Sequence, residues 1–301
     1  MKPFVIVATK GRAKETKVLL DYLLNQSLMP HYVVVVGSEQ SDIEGLETHP
    51  FIEQKKGELV ISNAGLCIQR NAGIETLLTT QPELAVEQDW FVTFFDDDFR
   101  PAQNWIAEAQ KYFTENTDVV GITGLVLADG VHLEFGIPEE EAQNYLTSQS
   151  ADTHEKPSAV QGLYGCNMAY AGKIMQLQRF DENLPMYSWQ EDYDFAHRAL
   201  KYGVLRKVSA TKGVHLGTSN GRTSGVRFGY SQIANPLYLI KKGSMPWPAA
   251  VKLMSKNVAS NSSKTLRGVR IKDYSGRLKG NARAISDLIR GKLNPLNVLN
   301  L

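Results

Sequence analysis

"HYVVVVG", residues 31 to 37, sets four valines in a row with no polar residue among them. A strand with one face in water alternates apolar and polar residues. An unbroken β-branched run belongs instead to a strand covered on both faces. The sequence on either side supplies suitable cover. Phe4 to Ala8 is a second short apolar run, and Lys14 to Leu24 repeats apolar residues at helical spacing through Val18, Leu19, Tyr22 and Leu23. Downstream follow a helix over Arg70 to Leu78, a strand over Trp90 to Phe95, a helix over Trp105 to Phe113 and a strand from Val119. This alternation predicts an α/β fold, Rossmann-like, with a mixed, mostly parallel sheet and helices on both faces. In such sheets ligands bind outside the carboxyl ends of the strands.

Beyond that strand the pattern loosens. Residues 131 to 160 are polar and poorly periodic, and read as an excursion over the surface. "GLYGCNMAYAG" (162–172) resumes order with small residues. "EDYDFAHRALKYG" (191–203) reads as a helix with acids at its start and Gly203 at its end. "GTSNGRTSG" (217–225) is a flexible loop before a helix that runs to Lys242. "GSMPWPAA" (243–250) marks a boundary, dividing a domain of residues 1–245 from a basic helical extension, 246–301, with an amphipathic helix near Ala282 to Ile289.

The 301 residues are 43% apolar and 22% charged, enough for a sizeable core. No run of eighteen apolar residues occurs, which excludes a transmembrane helix. "MKPFVIVATKGR" enters a strand pattern at once and shows no secretory leader. The two cysteines, Cys67 and Cys166, form no metal-binding spacing and no disulfide framework, which fits a reducing cytoplasm.

The net charge of +1 conceals an asymmetry. Of 33 basic and 32 acidic residues, 241–301 hold thirteen and two, leaving twenty and thirty in 1–240. Such a tail suits a solvated surface, docking onto the acidic body or onto a second copy in a homo-oligomer, or the anionic inner face of a membrane. Nucleic acid is disfavoured, since no binding module or aromatic interleaving accompanies the charge. Ile285, Leu288 and Ile289 beside Arg283, Arg290 and Lys292 have the composition of an interfacial helix, and favour a peripheral membrane site.

Three groups of residues carry chemistry. "FFDDDFRP" (94–101) puts Asp96, Asp97 and Asp98 behind a buried strand. An Asp-rich turn ahead of the Trp105 helix would explain such a triplet on structural grounds alone. Grouped carboxylates also suit a hard divalent cation, which lets neighbouring acids stay ionised together. Asp96 and Asp98, two apart in an extended segment, face one side, and Asp97 the other, toward a cap. In the second group, Glu191 and Asp192 sit at a helix N-terminus, where the dipole favours negative charge. They cap the helix, or one of them faces the rim as a general base beside the flat ring of Trp189. The third is His215, ahead of the Gly/Ser/Arg loop from which Arg222 or Arg227 could close over a diphosphate.

Taken in order, these segments resemble glycosyltransferase family 2, the inverting GT-A enzymes. The resemblance runs through "VIVATKGR", "LLDYLLNQSLMPHYVVVVGS", "SNAGLCIQRNAGIE", "FFDDDFRP", "GLYGCNMAYAG", "WQEDYDFAHRALKYG" and "HLGTSNGR", across residues 3 to 245. It implies a nucleotide-sugar donor, a glycan or lipid-linked glycan acceptor, a cytoplasmic location and a place in bacterial-type surface polysaccharide synthesis. Asp96 and Asp98 match the DXD pair, for the nucleotide ribose and a Mn2+ or Mg2+ ion, with Asp97 in the same nucleotide-binding segment. His215 matches a further metal ligand and Asp192 the catalytic base. Arg70 and Asn71 fall near the nucleotide, Thr9 and Arg12 on the pocket floor, Arg222 on the diphosphate, and Trp189 and Glu191 on the acceptor. Where many members carry acids that read uracil, this chain has Val35 and Val36, which leaves base recognition to Glu39 or Asp42.

Other readings fit less of the chain. A sugar-phosphate nucleotidyltransferase needs a Gly-rich loop with a lysine after the first strand, and "ATKGRAKET" is a poor version. The haloacid-dehalogenase phosphatases carry Asp-x-Asp on their first strand, not mid-chain. A non-catalytic sugar-binding protein would be expected to lose some of Asp96, Asp98, Asp192 and His215, and all are present.

Overall fold

The four valines lie in a strand with parallel neighbours on both sides. The computed structural model describes residues 1–148, 156–218 and 224–301. Its elements are β1 (Lys2–Ala8), α1 (Ala13–Leu24), β2 (Tyr32–Gly37), α2 (Pro50–Glu53), β3 (Gly57–Ile61), α3 (Leu66–Thr80), β4 (Trp90–Asp96), β5 (Phe99–Pro101), α4 (Trp105–Glu115) and β6 (Val119–Asp129). After these come α5 (Glu139–Ser148), β7 (Ser158–Ala159), β8 (Asn167–Ala171), α6 (Gly172–Leu177), α7 (Glu191–Ala199), β9 (Val204–His215), α8 (Gly225–Lys242), α9 (Trp247–Leu266) and α10 (Tyr274–Ile289). The chain divides into two compact units. One comprises Met1–Ala64, Ile68–Arg179 and Ala199–Gly221; the other comprises Gly65–Cys67, Phe180–Arg198 and Arg222–Leu301.

The first unit is built on one sheet, ordered β3-β2-β1-β4-β8-β6-β9-β5 with β7 against β9 among the described residues. The strands β1 to β4, β6 and β9 run one way; β5, β7 and β8 run the other. This is the mixed, mostly parallel, Rossmann-like GT-A sheet that the sequence predicts. Val33 to Val36 are fully buried, as are Phe4 to Val7 of β1, apart from a trace of Ile6. α1 turns Leu19, Leu20 and Leu23 inward, and α4 contributes Trp105, Ile106, Ala109 and Phe113 to the same core as Phe91, Phe95 and Phe99. Burying each such side chain is worth about 1.5–3 kcal/mol, so these runs hold the register of the sheet.

Register then brings functional residues to one rim. Ala8 pairs with Val36 on one side and with Asp96 on the other, so the carboxyl ends of β1, β2 and β4 are level. On the far side Phe99 pairs with His215, and Asp129 pairs with the same histidine. The surface excursion contains a full helix, α5, which the polar run "EEEAQNYLTS" hides because only Ala142 among them is buried. It is held by Arg100 Nε and the Tyr22 hydroxyl, which donate to Glu139 at 2.8 and 2.9 Å.

In the second unit α8, α9 and α10 pack together. Tyr230, Ile233 and Ala234 of α8 share a core with Ala284 of α10 and with Val298. At its centre Asn261, Gln232 and Asn281 bond one another at 2.8 and 3.0 Å, a buried amide network that fixes the mutual register of the three helices. Among the described residues no helix is long and apolar enough to cross a membrane.

Candidate active site

The floor of the rim is a web of buried polar groups. After β1 the chain turns at Gly11, in the left-handed region at φ 67°. Its N–H donates to Asp42 at 2.6 Å, and Asp42 also accepts from the N–H and hydroxyl of Ser38, both at 2.8 Å. Burial raises the pKa of Asp42, but these donors outweigh it and hold the carboxyl below its ordinary range. Asp42 therefore ties the β1 loop to the β2 loop, and its oxygens are already occupied; Glu39 is exposed. Gln69 of α3 donates its amide to both Thr9 O and Val36 O, at 2.8 and 2.9 Å, and clamps the same two strand ends.

Asp97 belongs to this floor. Its carboxylate accepts from the Thr9 hydroxyl and from Arg12, each at 2.8 Å, and the residue is buried. Burial pushes its pKa up, and Arg12 pulls it back. Arg12 also donates to Thr218 O at 3.2 Å and lies 3.5 Å from Asp98.

Asp96 and Asp98 point elsewhere. Ligand atoms of Asp96, Asp98 and His215 lie within 4.8 Å of one another, the one grouping of its kind among the described residues. Arg70 of α3, buried against Phe94 and bonded to Gly165 O, reaches Asp96 at 3.2 Å. Asn71 is buried on the same helix. Asp98 accepts from the backbone and hydroxyl of Thr218 through Oδ2, at 2.9 and 3.0 Å. Its Oδ1 is buried without a hydrogen bond, with His215 Nε2 at 3.4 Å.

On the other edge of the imidazole, Nδ1 donates to Asp129 Oδ1 at 3.0 Å, and the Tyr164 hydroxyl donates to Asp129 Oδ2 at 2.7 Å. Burial opposes charge on His215, but its bond to Asp129 and the neighbouring Asp98 carboxylate prevail and raise its pKa to about 10. Burial likewise disfavours the Asp98 anion, yet His215 and Arg12 hold it well below the carboxylate range. The carboxylates Asp96, Asp98 and Asp129 thus favour positive charge at His215. Two carboxylates and an imidazole, with an unbonded buried oxygen among them, could hold a metal ion.

In the second unit, Trp189, Glu191 and Asp192 lie at the head of α7. The approach is unusual: Met186, Ser188 and Gln190 all have positive φ, at 61°, 52° and 75°. Non-glycine residues in that region cost roughly 1–3 kcal/mol each and need support. Leu66 N donates to Met186 O at 2.8 Å, the Ser188 hydroxyl to Leu184 O at 2.6 Å, and Asn235 Nδ2 to Trp189 O at 2.8 Å. The Trp189 ring meets Phe228 edge-on at 5.9 Å. Glu191 is buried, and Asp192 is half-buried with Tyr193 N donating to it at 2.7 Å. Asp194 is engaged by Arg198 and Lys242 at 3.0 and 2.8 Å.

Thr9, Arg12, Arg70, Asp96, Asp97, Asp98 and His215 thus gather in the first unit. Arg222 lies outside the described residues, and Arg227 donates to Leu301 O at 2.8 Å. Sequence reasoning missed Asp129, Tyr164 and Thr218. Asp129 ends an apolar strand run as Asp96 does, a signal it shares with the triplet; Tyr164 and Thr218 carry none, because only the pairing of β6 with β9 and the path of the chain past His215 bring them in.

No protein-family model matches this sequence, and no curated protein matches it. Solved structures do. S. aureus TarS (residues 1–349) is 17% identical, with a TM-score of 0.50, over 78% of this chain and 64% of that one, so the chain spans less than two-thirds of it. The mannosyltransferase PcManGT from Pyrobaculum calidifontis, solved with GDP-Man and Mn2+, is 16% identical at TM-score 0.54, over 96% and 86% of the two chains. GalNAc-T7 with UDP, GalNAc and Mn2+ is 12% identical at TM-score 0.56, over 97% of this chain and 59% of its own. At these identities the likeness is one of fold.

Proposed function

We propose that the chain is a metal-dependent, inverting glycosyltransferase of the family 2 type, moving a sugar from a nucleoside diphosphate to an acceptor hydroxyl. One observation carries this reading: the Asp96, Asp98 and His215 ligand atoms converge within 4.8 Å at the carboxyl rim of a GT-A sheet. The Mn2+ complexes of PcManGT and GalNAc-T7 with nucleotide or nucleotide sugar support it by fold analogy.

Asp96, Asp98 and His215 would hold Mn2+ or Mg2+, which when bound supplies Lewis acidity toward the departing diphosphate. Arg70 orients Asp96 through its ion pair. Thr9 and Arg12, fixed by Asp97, shape the floor on which the nucleotide rests, with Asn71 nearby and Arg222 serving the diphosphate. Asp192 accepts the proton of the attacking hydroxyl, while Trp189 and Glu191 position the acceptor. A single displacement inverts the anomeric centre. The acceptor is a glycan or lipid-linked glycan of a surface polysaccharide, met at the cytoplasmic face of a membrane.

The test is a panel of UDP-, GDP- and dTDP-sugars incubated with the protein and Mn2+, with release of nucleoside diphosphate as readout. Hydrolysis of one donor that stops in excess chelator is the expected result. Full turnover in chelator, or no turnover of any donor, would overturn the proposal.

A further inference from the structure

We propose that Asp129 and Tyr164 are positioning residues for the divalent cation: they hold the His215 ring so that Nε2 faces the space shared with Asp96 and Asp98. This rests on reading that cluster as a metal site. The geometry is built from two strands. Asp129 ends β6 opposite His215 of β9, and its Oδ1 lies 3.0 Å from Nδ1. An ionised carboxylate only accepts, so Nδ1 carries the hydrogen and Nε2 is the nitrogen left toward Asp98, at 3.4 Å. Tyr164 holds the carboxylate in turn. Its hydroxyl donates to Oδ2 at 2.7 Å, and its ring stands edge-on to the imidazole, 5.9 Å away at 90°. An imidazole that donates from one nitrogen to a carboxylate is a more basic ligand through the other, and loss of such a partner lowers metal affinity by roughly 10–100-fold.

A purely structural role is the competing account, since Asp129 Oδ1 also accepts from Val131 N at 3.0 Å and caps the turn Gly130–His132. Asp129→Asn separates the two, because asparagine keeps an acceptor for the cap and loses the charge. Tyr164 is 39% exposed, so Tyr164→Phe removes little beyond the hydroxyl.

The experiment is Mn2+ titration of the full chain followed by the electron paramagnetic resonance of free Mn2+, with no sugar nucleotide present. Asp129→Asn should weaken binding by roughly 10–100-fold, and Tyr164→Phe by less in the same direction. The discriminating arm repeats Asp129→Asn in a His215→Gln background, which offers an oxygen ligand but lacks the ring that Asp129 grips. There the further loss should stay within about twofold, the scale of uncoupled sites. Equal losses in both backgrounds would show Asp129 acting directly or by general charge, and overturn the proposal. So would affinity within about twofold of native for Asp129→Asn alone, or a native protein that binds no Mn2+ at millimolar concentration. Since no donor is involved, coupling with no sugar transfer would sink the glycosyltransferase reading and leave this one standing.

Discussion

Asp97 and Asp98 are adjacent in sequence and share Arg12 as an ionic neighbour but accept hydrogen bonds from different groups, so conservative substitutions should separate them. Asp98→Asn alters an oxygen that faces the cluster and is expected to weaken Mn2+-dependent nucleotide binding, measured by calorimetry. Asp97→Asn leaves that cluster intact but weakens the bonds to Thr9 and Arg12. Its signature should be a loss of stability of about 2 kcal/mol, the scale of charge-assisted hydrogen bonds, read by denaturant unfolding. If Asp97→Asn instead damages nucleotide binding more than Asp98→Asn does, the division of labour is wrong. Asp192→Asn belongs to a third category: diphosphate affinity stays near native while kcat falls by roughly 100-fold or more, the cost of losing a general base. Near-native turnover would transfer that role to Glu191.

Among the elements, the contact of α8 with α10 depends on small residues. A Cβ at Gly280 would lie 2.0 Å from Val226 O, and one at Gly229 would lie 2.1 Å from Arg277 O. Both obstacles are backbone and cannot rotate away. Gly280→Ala should therefore destabilise toward the upper end of the roughly 1–3 kcal/mol seen for overpacking, and urea unfolding at the native midpoint would reveal an unaltered protein if the helices can slide. The same elements show where the sequence was legible. β2 and β4 are almost wholly apolar because both faces are covered, so composition alone reports them. α1 and α4 announce themselves by spacing. β9 is harder: Arg206, Lys207, Ser209, Thr211 and Lys212 interrupt it, and it is a strand through pairing with β6 and β5. α9 carries "SKNVASNSSK", with only Ala250 and Asn261 of the helix fully buried, so no apolar stripe marks it. The triplet, His215 and the acids of α7 were visible as residue types at element ends. Asp97's place in the floor was visible only as a direction, because its partners Thr9 and Arg12 come from a loop 85 or more residues away.

At the scale of the whole molecule the question is what the cationic tail meets. On α10 the inner face is Gly280, Asn281, Ala284 and Asp287, while Ile285, Leu288 and Ile289 stay exposed, Ile289 at 81%. Leu296 and Leu299 are exposed after it. Exposed apolar residues flanked by Arg283, Arg290 and Lys292 suit an anionic bilayer surface, where each cation adds on the order of 1 kcal/mol. Truncation after Gly243 is a poor test, since it would strip α8 of the core it shares with Ala284 and Val298. Ile289→Glu with Arg290→Glu leaves that core alone. The native chain should co-sediment with anionic liposomes at low salt and the double variant should not; equal sedimentation would place the contact elsewhere.

Both acids of the tail are turned to structural use. Asp273 caps α10 by accepting from Gly276 N at 2.7 Å, and Asp287 accepts from the Tyr230 hydroxyl at 2.9 Å. Residues 241–301 contain no histidine and no cysteine, the side chains whose charge or oxidation state responds most readily near neutrality. The charge of the tail is therefore a fixed electrostatic quantity near neutrality, and any liposome binding through it should be flat between pH 6 and 8 while falling steeply with ionic strength. Covalent modification would change that quantity, and a phosphate added at Ser255, the exposed serine of α9, would offset cations of the tail.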